Sequence, residues 1–394
     1  MKIQIKKMPL IDTAFYVLWA FFSIGYFVLS GSELWYMYSL GTYMSFITYG
    51  TIMGLAVLFV LKQNYSLKVI ATYSAFILMV AFIEISSSDK TFLVYILFIM
   101  MAQFIDFEKF VKFDLKLRIA IYALIILLFL LGVINNYTLS EGGQIKQSFG
   151  FSHPNKFACY SFTVLAEWIY VRFYKIKKIE YVVILLSVIF IISNNSGRTT
   201  IYTFVLICVL FAMAKIKPEI FYSKISHFMF IIITPLCAII SFVLTNQYMK
   251  GSLFAVQLDE FLTHRLRFQS YFLTRYDLNL FGQNIELVST RMSIITGQQR
   301  AILDNAYIRS AFVYGVVYLV FICVVYSIMF HKFLKAKHVE LAIFGLFFVL
   351  YGLGESYMLN AVYNVTLLCF LGMDKLTPRE DIKHKGKKYK IRWN

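Results

Sequence analysis

Five arginines stand in one polar stretch between Asn246 and Asp304: Arg265, Arg267, Arg275, Arg291 and Arg300. A guanidinium keeps its charge at physiological pH and presents a planar fork of N–H donors that fits phosphate oxygens two at a time. Arg198 stands apart, in Ser193-Asn-Asn-Ser-Gly-Arg198-Thr-Thr, a polar break between two apolar runs. It falls in the first turn of the second run, where a helix already offers unpaired backbone N–H groups to an anion. The alternative for Arg198 is an interfacial side chain snorkelling to water. The long stretch closes at Asp304-Asn305, just before another apolar run. Asp304 suits a helix N-cap, with its charge near the helix dipole. Two outlying groups add hydrogen-bonding capacity. His153 and Asn155 lie in Gly150-Phe-Ser-His-Pro-Asn155, which reads equally well as a plain turn into a helix, and Glu355 in Gly354-Glu355-Ser356 is placed to orient an arginine or bind a hydroxyl. Together these residues suit the capture of a phosphorylated ligand by Arg265 and Arg198, with Arg291 or Arg300 assisting.

Helical spacing orders the arginines. Leu258, Phe261, Leu262, Leu266, Phe268, Phe272 and Leu273 recur with helical period, predicting one amphipathic helix on a surface. Arg265 points with its apolar side, while Arg267 shares the other side with Glu260, Thr263, His264 and Tyr271. A charge turned inward needs a partner: the cost at mid-bilayer is roughly 2.5–3.5 kcal/mol, and less near the interface. A phosphate would serve, as would Asp259 or Asp304. Leu280-Phe281-Gly282 reads as a turn, and a helical register puts Arg300 one turn before Asp304.

The rest of the chain supplies a support. Of its 394 residues 60% are hydrophobic and only 15% charged, and the apolar residues fall in runs of roughly 17–25, the length that crosses a bilayer as a helix. No alternating short segments suggest a β-barrel. The expected fold is therefore all-α: a polytopic integral membrane protein with about 12 transmembrane helices, at 12–30, 43–61, 67–83, 91–105, 117–134, 156–174, 181–193, 200–214, 228–245, 306–330, 339–353 and 361–372. The last is short and could be partly re-entrant. Residues 1–372 form one membrane domain, with the 246–304 loop between spans nine and ten, and 373–394 a basic tail. Most of the 38 lysines and arginines fall in alternate short loops and in that tail, so both termini are predicted to be cytoplasmic and the 246–304 loop extracytoplasmic. The same distribution accounts for most of the +17 charge as topology and excludes nucleic acid as a partner. No cleavable signal peptide is expected. The five cysteines lie in apolar runs without metal-ligand spacing, and neither a metal nor a cofactor is expected. Glu167, within a span, is assigned to Arg172 and Lys175 as a structural partner.

Four places carry a family resemblance. Gly150-Phe-Ser-His-Pro-Asn155 resembles a Gly-x-x-x-Pro-Asn segment, Ser193-Asn-Asn-Ser-Gly-Arg198 a Ser-x-Ser-Arg motif, and Phe261-Leu-Thr-His-Arg265-Leu with Leu280-Phe-Gly282 a loop arginine and its downstream Leu-Phe-Gly. Asp304-Asn-Ala-Tyr307 through Gly315 resembles a His/Asp-Asn-x-Tyr segment. In this order they resemble the bacterial Wzy-type polysaccharide polymerases and the related O-antigen ligases, over roughly residues 130–330. The resemblance implies a metal-independent glycosyltransferase of capsule, exopolysaccharide or O-antigen biosynthesis in the cytoplasmic membrane. Its substrate would be an oligosaccharide on undecaprenyl pyrophosphate, and its implied partners a chain-length regulator and a flippase. Arg265, Asp304 and Arg198 would be catalytic; Arg291, Arg300, His153, Asn155, Asn305, Glu355 and Arg267 would bind substrate. Asp304 stands where ligases of the group carry His, which favours a polymerase over a ligase-like transferase. A twelve-span transporter or flippase is the reading from another class.

Overall fold

The computed structural model describes residues 10–62, 65–87, 91–141, 144–194, 198–262, 264–376 and 378. Helix α1 (Leu10–Ile24) continues as a π turn to Ser30, and α2 (Leu34–Met37), α3 (Gly41–Lys62), α4 (Leu67–Ser87) and α5 (Thr91–Ala102) follow. Next come α6 (Phe107–Leu130), a hairpin of β1 (Thr138–Glu141) and β2 (Gln144–Gln147), then α7 (Pro154–Arg172), α8 (Lys178–Asn194), α9 (Arg198–Ile216) and α10 (Lys224–Met249). The polar stretch holds α11 (Leu253–Phe261), α12 (Arg265–Arg275) and α13 (Thr290–Thr296); beyond it lie α14 (Ala306–Arg309), α15 (Val316–Lys335) and α16 (Val339–Tyr351), then 3-10 turns at Ser356–Leu359 and Val365–Lys375.

The chain is mostly helical, and its helices carry the composition of membrane spans. Among the described residues, five helices are long and apolar enough to cross a bilayer: Leu10–Ser30, Gly41–Lys62, Val69–Ser87, Lys224–Met249 and Val316–Lys335; Thr91–Ala102, Thr200–Ile216 and Val339–Tyr351 are apolar but shorter. Helices α3, α4, α8 and α9 turn large apolar side chains outward, among them Phe46, Met53, Ile77, Leu186 and Val205. Exposed apolar surface on that scale needs an apolar solvent, so the protein is membrane-embedded. Packed among them, α10 lies against α15, and α16 against α9 and α7.

Two predicted spans take another form. The 306–330 run breaks at Gly315, where the backbone is left-handed (φ 96°). A π turn over Ser310–Tyr314 precedes the break, and the amide N–H groups of Val316 and Val317 leave the helix to donate to the carbonyls of Asn279 and Leu280 (3.0 and 3.1 Å). The 361–372 run is a buried 3-10 turn packed on α5, α6 and α15. Both glycines of the Leu280–Gly282/Gly315 contact are forced. A Cβ on Gly315 would lie 2.3 Å from the Leu280 carbonyl oxygen, and one on Gly282 (φ 83°) 2.1 Å from that of Val313. We expect Gly315→Ala to lose about 1–3 kcal/mol from backbone strain alone and more from the clash, measured as a lower melting temperature in detergent. An unchanged melt would mean that the contact yields freely.

Inside the bundle, Arg118 and Glu167 take unforeseen positions. Arg118 is buried on α6, whose start at Phe107 is capped by Asp106, ten residues before the expected span. It pairs with Asp114 (2.5 Å) and with Glu167 of α7 (2.9 Å) and donates to the Val362 carbonyl. Glu167 faces Arg118 and not Arg172, which binds Glu180 instead. The reason is helical direction: Glu167 lies on the face of α7 that packs on α6.

Candidate functional site

Arg265 opens α12 and turns into the protein, 13% exposed. Its Nη2 donates to Glu355 Oε1 at 2.6 Å, and its Nη1 reaches Asp304 Oδ2 at 3.4 Å. Its Nε is buried and meets no hydrogen-bond partner among the described residues. Burial disfavours the guanidinium charge, but Glu355 and Asp304 outweigh this and hold its pKa above the ordinary value.

Local folding explains the inward turn. The predicted single amphipathic helix is two helices, with a break at His264, which is left-handed (φ 63°). Buried Asp259 drives the break: its carboxylate accepts from the Arg267 amide (3.1 Å) and approaches His264 Nδ1 (3.4 Å), while its carbonyl accepts from the His264 amide (2.8 Å). A side-chain oxygen at the start of α12 replaces the carbonyls that a continuous helix would have used. Apolar spacing does not register such a break, since the period resumes on the far side.

Asp304 and Glu355 meet because residues 304–306 dock against the end of α16, with the Ala306 amide donating to the Gly352 carbonyl at 2.8 Å. The cap of α14 is Asn305 and not Asp304. Asn305 accepts from the amides of Tyr307 and Ile308, each at 3.0 Å, and gives its own amide protons to Ser241 Oγ and the Leu353 carbonyl. Its polar groups are committed to these four bonds and it is 3% exposed. Asp304 thereby stays free of capping and is 37% exposed.

The start of α9 belongs to the same neighbourhood. Thr200 Oγ1 donates to the Tyr351 hydroxyl at 3.1 Å, one turn before Glu355, and Tyr202 stacks on Phe261 at the end of α11 (5.5 Å). Arg198 is the first residue of α9; its side chain lies outside the described residues.

Arg291 and Arg300 make their contacts elsewhere. Arg291 grips both carboxylate oxygens of Glu33, donates to the Ser152 carbonyl (3.3 Å), and lies between the rings of Tyr36 (3.7 Å) and Tyr137 (4.4 Å). Paired and stacked on both sides, it ties the segment after α1 to the 137–153 segment and to the loop. None of these contacts is to Arg265, Glu355 or Asp304. The tie depends on Gly150 (φ 87°), whose carbonyl accepts from the Glu33 amide at 2.9 Å. Glu33 escaped sequence reading, although a lone acid in a short polar segment was a usable signal. So was Gly142-Gly143, a hairpin-type pair, although those two glycines lie outside the described residues. His153 caps α7, accepting from the Asn155 amide at 3.1 Å. Arg300 is not on a helix with Asp304: the chain there is extended, and Ala301 bridges Val288. Its guanidinium lies 4.7 Å over Phe268 and donates to Thr290 Oγ1 at 3.3 Å. Arg267 is on the exposed side, as its register predicts.

Burial pushes Glu355 up to about 7; Arg265 opposes the shift and Asp304 reinforces it. The sign follows from a folded pKa above the ordinary 4.5. Stability from this group is complete below that value and is lost as pH rises towards 7. The protonated carboxyl also leaves Arg265 with one counter-charge, Asp304, and not two. We expect the melting temperature to fall between pH 4.5 and 7 and this fall to flatten in Glu355→Gln. A slope identical in the variant would remove Glu355 as its source.

The fold and this cluster define a class: a polytopic helical membrane protein with an inward arginine between two carboxylates beneath a helical loop. Compared with family models, curated proteins and solved structures, the chain matches none.

Proposed function

We propose that this protein is a polysaccharide polymerase. It moves a growing glycan from undecaprenyl pyrophosphate onto an incoming lipid-linked repeat unit at the outer face of the cytoplasmic membrane. The observation that carries the reading is the unequal grip on Arg265: short and buried to Glu355, long and half-open to Asp304. Glu355 orients the guanidinium. Asp304 is the arm that a diphosphate displaces, and the displaced carboxylate accepts the acceptor hydroxyl's proton. The guanidinium, with its unused Nε, then faces the charge that builds on the departing pyrophosphate. The sugar is transferred with inversion at the anomeric carbon. Support comes also from the order of the motifs and from the position of Arg198 at the start of α9. The transporter reading draws on one observation, the Asp114–Arg118–Glu167 cluster inside the bundle, since intramembrane ions mark transport paths. Purified protein in detergent with lipid-linked repeat units decides between them. Longer glycans without any gradient support the polymerase; substrate movement across vesicles without extension overturns it.

A further inference from the structure

A second cationic site lies on the opposite side of α12 from Glu355. His264, Arg267, Phe268, Tyr271, Gln299 and Arg300 line a pocket of about 220 Å³ between α12 and the returning chain. The other arginines with inward contacts are neutralised, Arg265 by Glu355 and Asp304 and Arg291 by Glu33. Among the described residues no ion pair involves Arg267 or Arg300. Arg300 is nonetheless held, by the Phe268 ring beneath it and by Thr290 at its edge. An unneutralised, oriented guanidinium beside aromatic walls is a ready-made receptor for an anion carried on a ring. The volume is below the roughly 300–1,000 Å³ of pockets for drug-sized ligands, and suits a single sugar.

We infer that this pocket binds one acidic sugar of the glycan. Arg267 and Arg300 take its carboxylate or phosphate, Tyr271 and Phe268 cover the apolar face of its ring, and the Gln299 amide meets a hydroxyl. The inference rests on the polymerase reading and adds to it a substrate class: repeat units bearing an anionic substituent. Recognition of the sugar is then separate from capture of the pyrophosphate, on two sides of one short helix.

The test is binding, independent of transfer. The full chain in nanodiscs is titrated calorimetrically with trigalacturonate, with neutral galactotriose and with glucose 6-phosphate. Arg267→Gln, Arg300→Gln and Arg300→Lys are compared, with melting temperature as a control for folding. We expect trigalacturonate, glucose 6-phosphate or both to bind, with the better of the two naming the anion. We expect galactotriose not to bind, and affinity to fall at least tenfold in either Gln variant with partial recovery in Arg300→Lys. Equal binding of the neutral trisaccharide, affinity unchanged in both Gln variants, or no binding of any probe overturns the inference. Arg265→Ala separates it from the parent reading. Loss of extension with acid-sugar binding intact supports both, while acid-sugar binding in a protein that never extends glycans retains the pocket and removes the polymerase.

Discussion

Replacing Arg265 with alanine is expected to reduce glycan extension by roughly 10²–10³-fold, the usual loss when one donor aimed at developing charge is removed. Lysine is expected to rescue little. A point charge cannot keep the short contact to Glu355 and also present a second N–H edge to a phosphate. The substitution has a structural effect that must be separated from chemistry, because Arg265→Ala leaves Glu355 buried beside Asp304 without its counter-ion. Breaking a buried pair in this way typically costs about 3–5 kcal/mol, and less here to the extent that Glu355 takes up a proton. Adding Glu355→Gln to Arg265→Ala removes the stranded carboxylate. The double variant is expected to regain the melting temperature while extension stays as low as in Arg265→Ala. If extension returned together with stability, Arg265 would be a structural arginine and the clamp would be lost.

The second large effect lies inside the bundle. Arg118→Met is expected to lower stability by roughly 3–5 kcal/mol, because Asp114 and Glu167 would then face each other without a cation. Asp114 also accepts from Trp19 Nε1 at 2.6 Å, so tryptophan emission in a detergent melt reports the change. Glu167→Gln is expected to be nearly neutral. Two carboxylates share one guanidinium, and both Glu167 oxygens lack a hydrogen bond among the described residues. The same variant informs function: extension should persist, since the cluster is remote in role from the loop arginine. A Glu167→Gln protein that melts normally but loses all activity would make this cluster part of the working mechanism and strengthen the transporter reading.

The two sides of α12 show where sequence and structure divide. Burial of Arg265 and exposure of Arg267 were legible, because two residues apart on a helix is a rotation of about 200° at 3.6 residues per turn. The break at His264 was not, because a buried aspartate at the helix start leaves the apolar period unchanged. Asp304 as a possible cap was a fair reading of sequence, yet the next residue takes the role, since an amide side chain can accept from α14 and donate to Ser241 and Leu353 at once. Glu355 stood out for its position at the end of an apolar run, but its partner lies 90 residues away.

By itself the sequence determined the helical, membrane-embedded character, the polar stretch that holds the arginines, and the side of α12 on which each stands. These follow from local period and from transfer of apolar side chains out of water, which neighbouring residues suffice to express. Only tertiary structure decided which carboxylate meets which arginine: Glu355 and Asp304 for Arg265, Glu33 for Arg291, Asp114 and Glu167 for Arg118. Ion pairing is a contact of a few ångströms between groups far apart in the chain. It is fixed by how helices dock, and no local pattern encodes it.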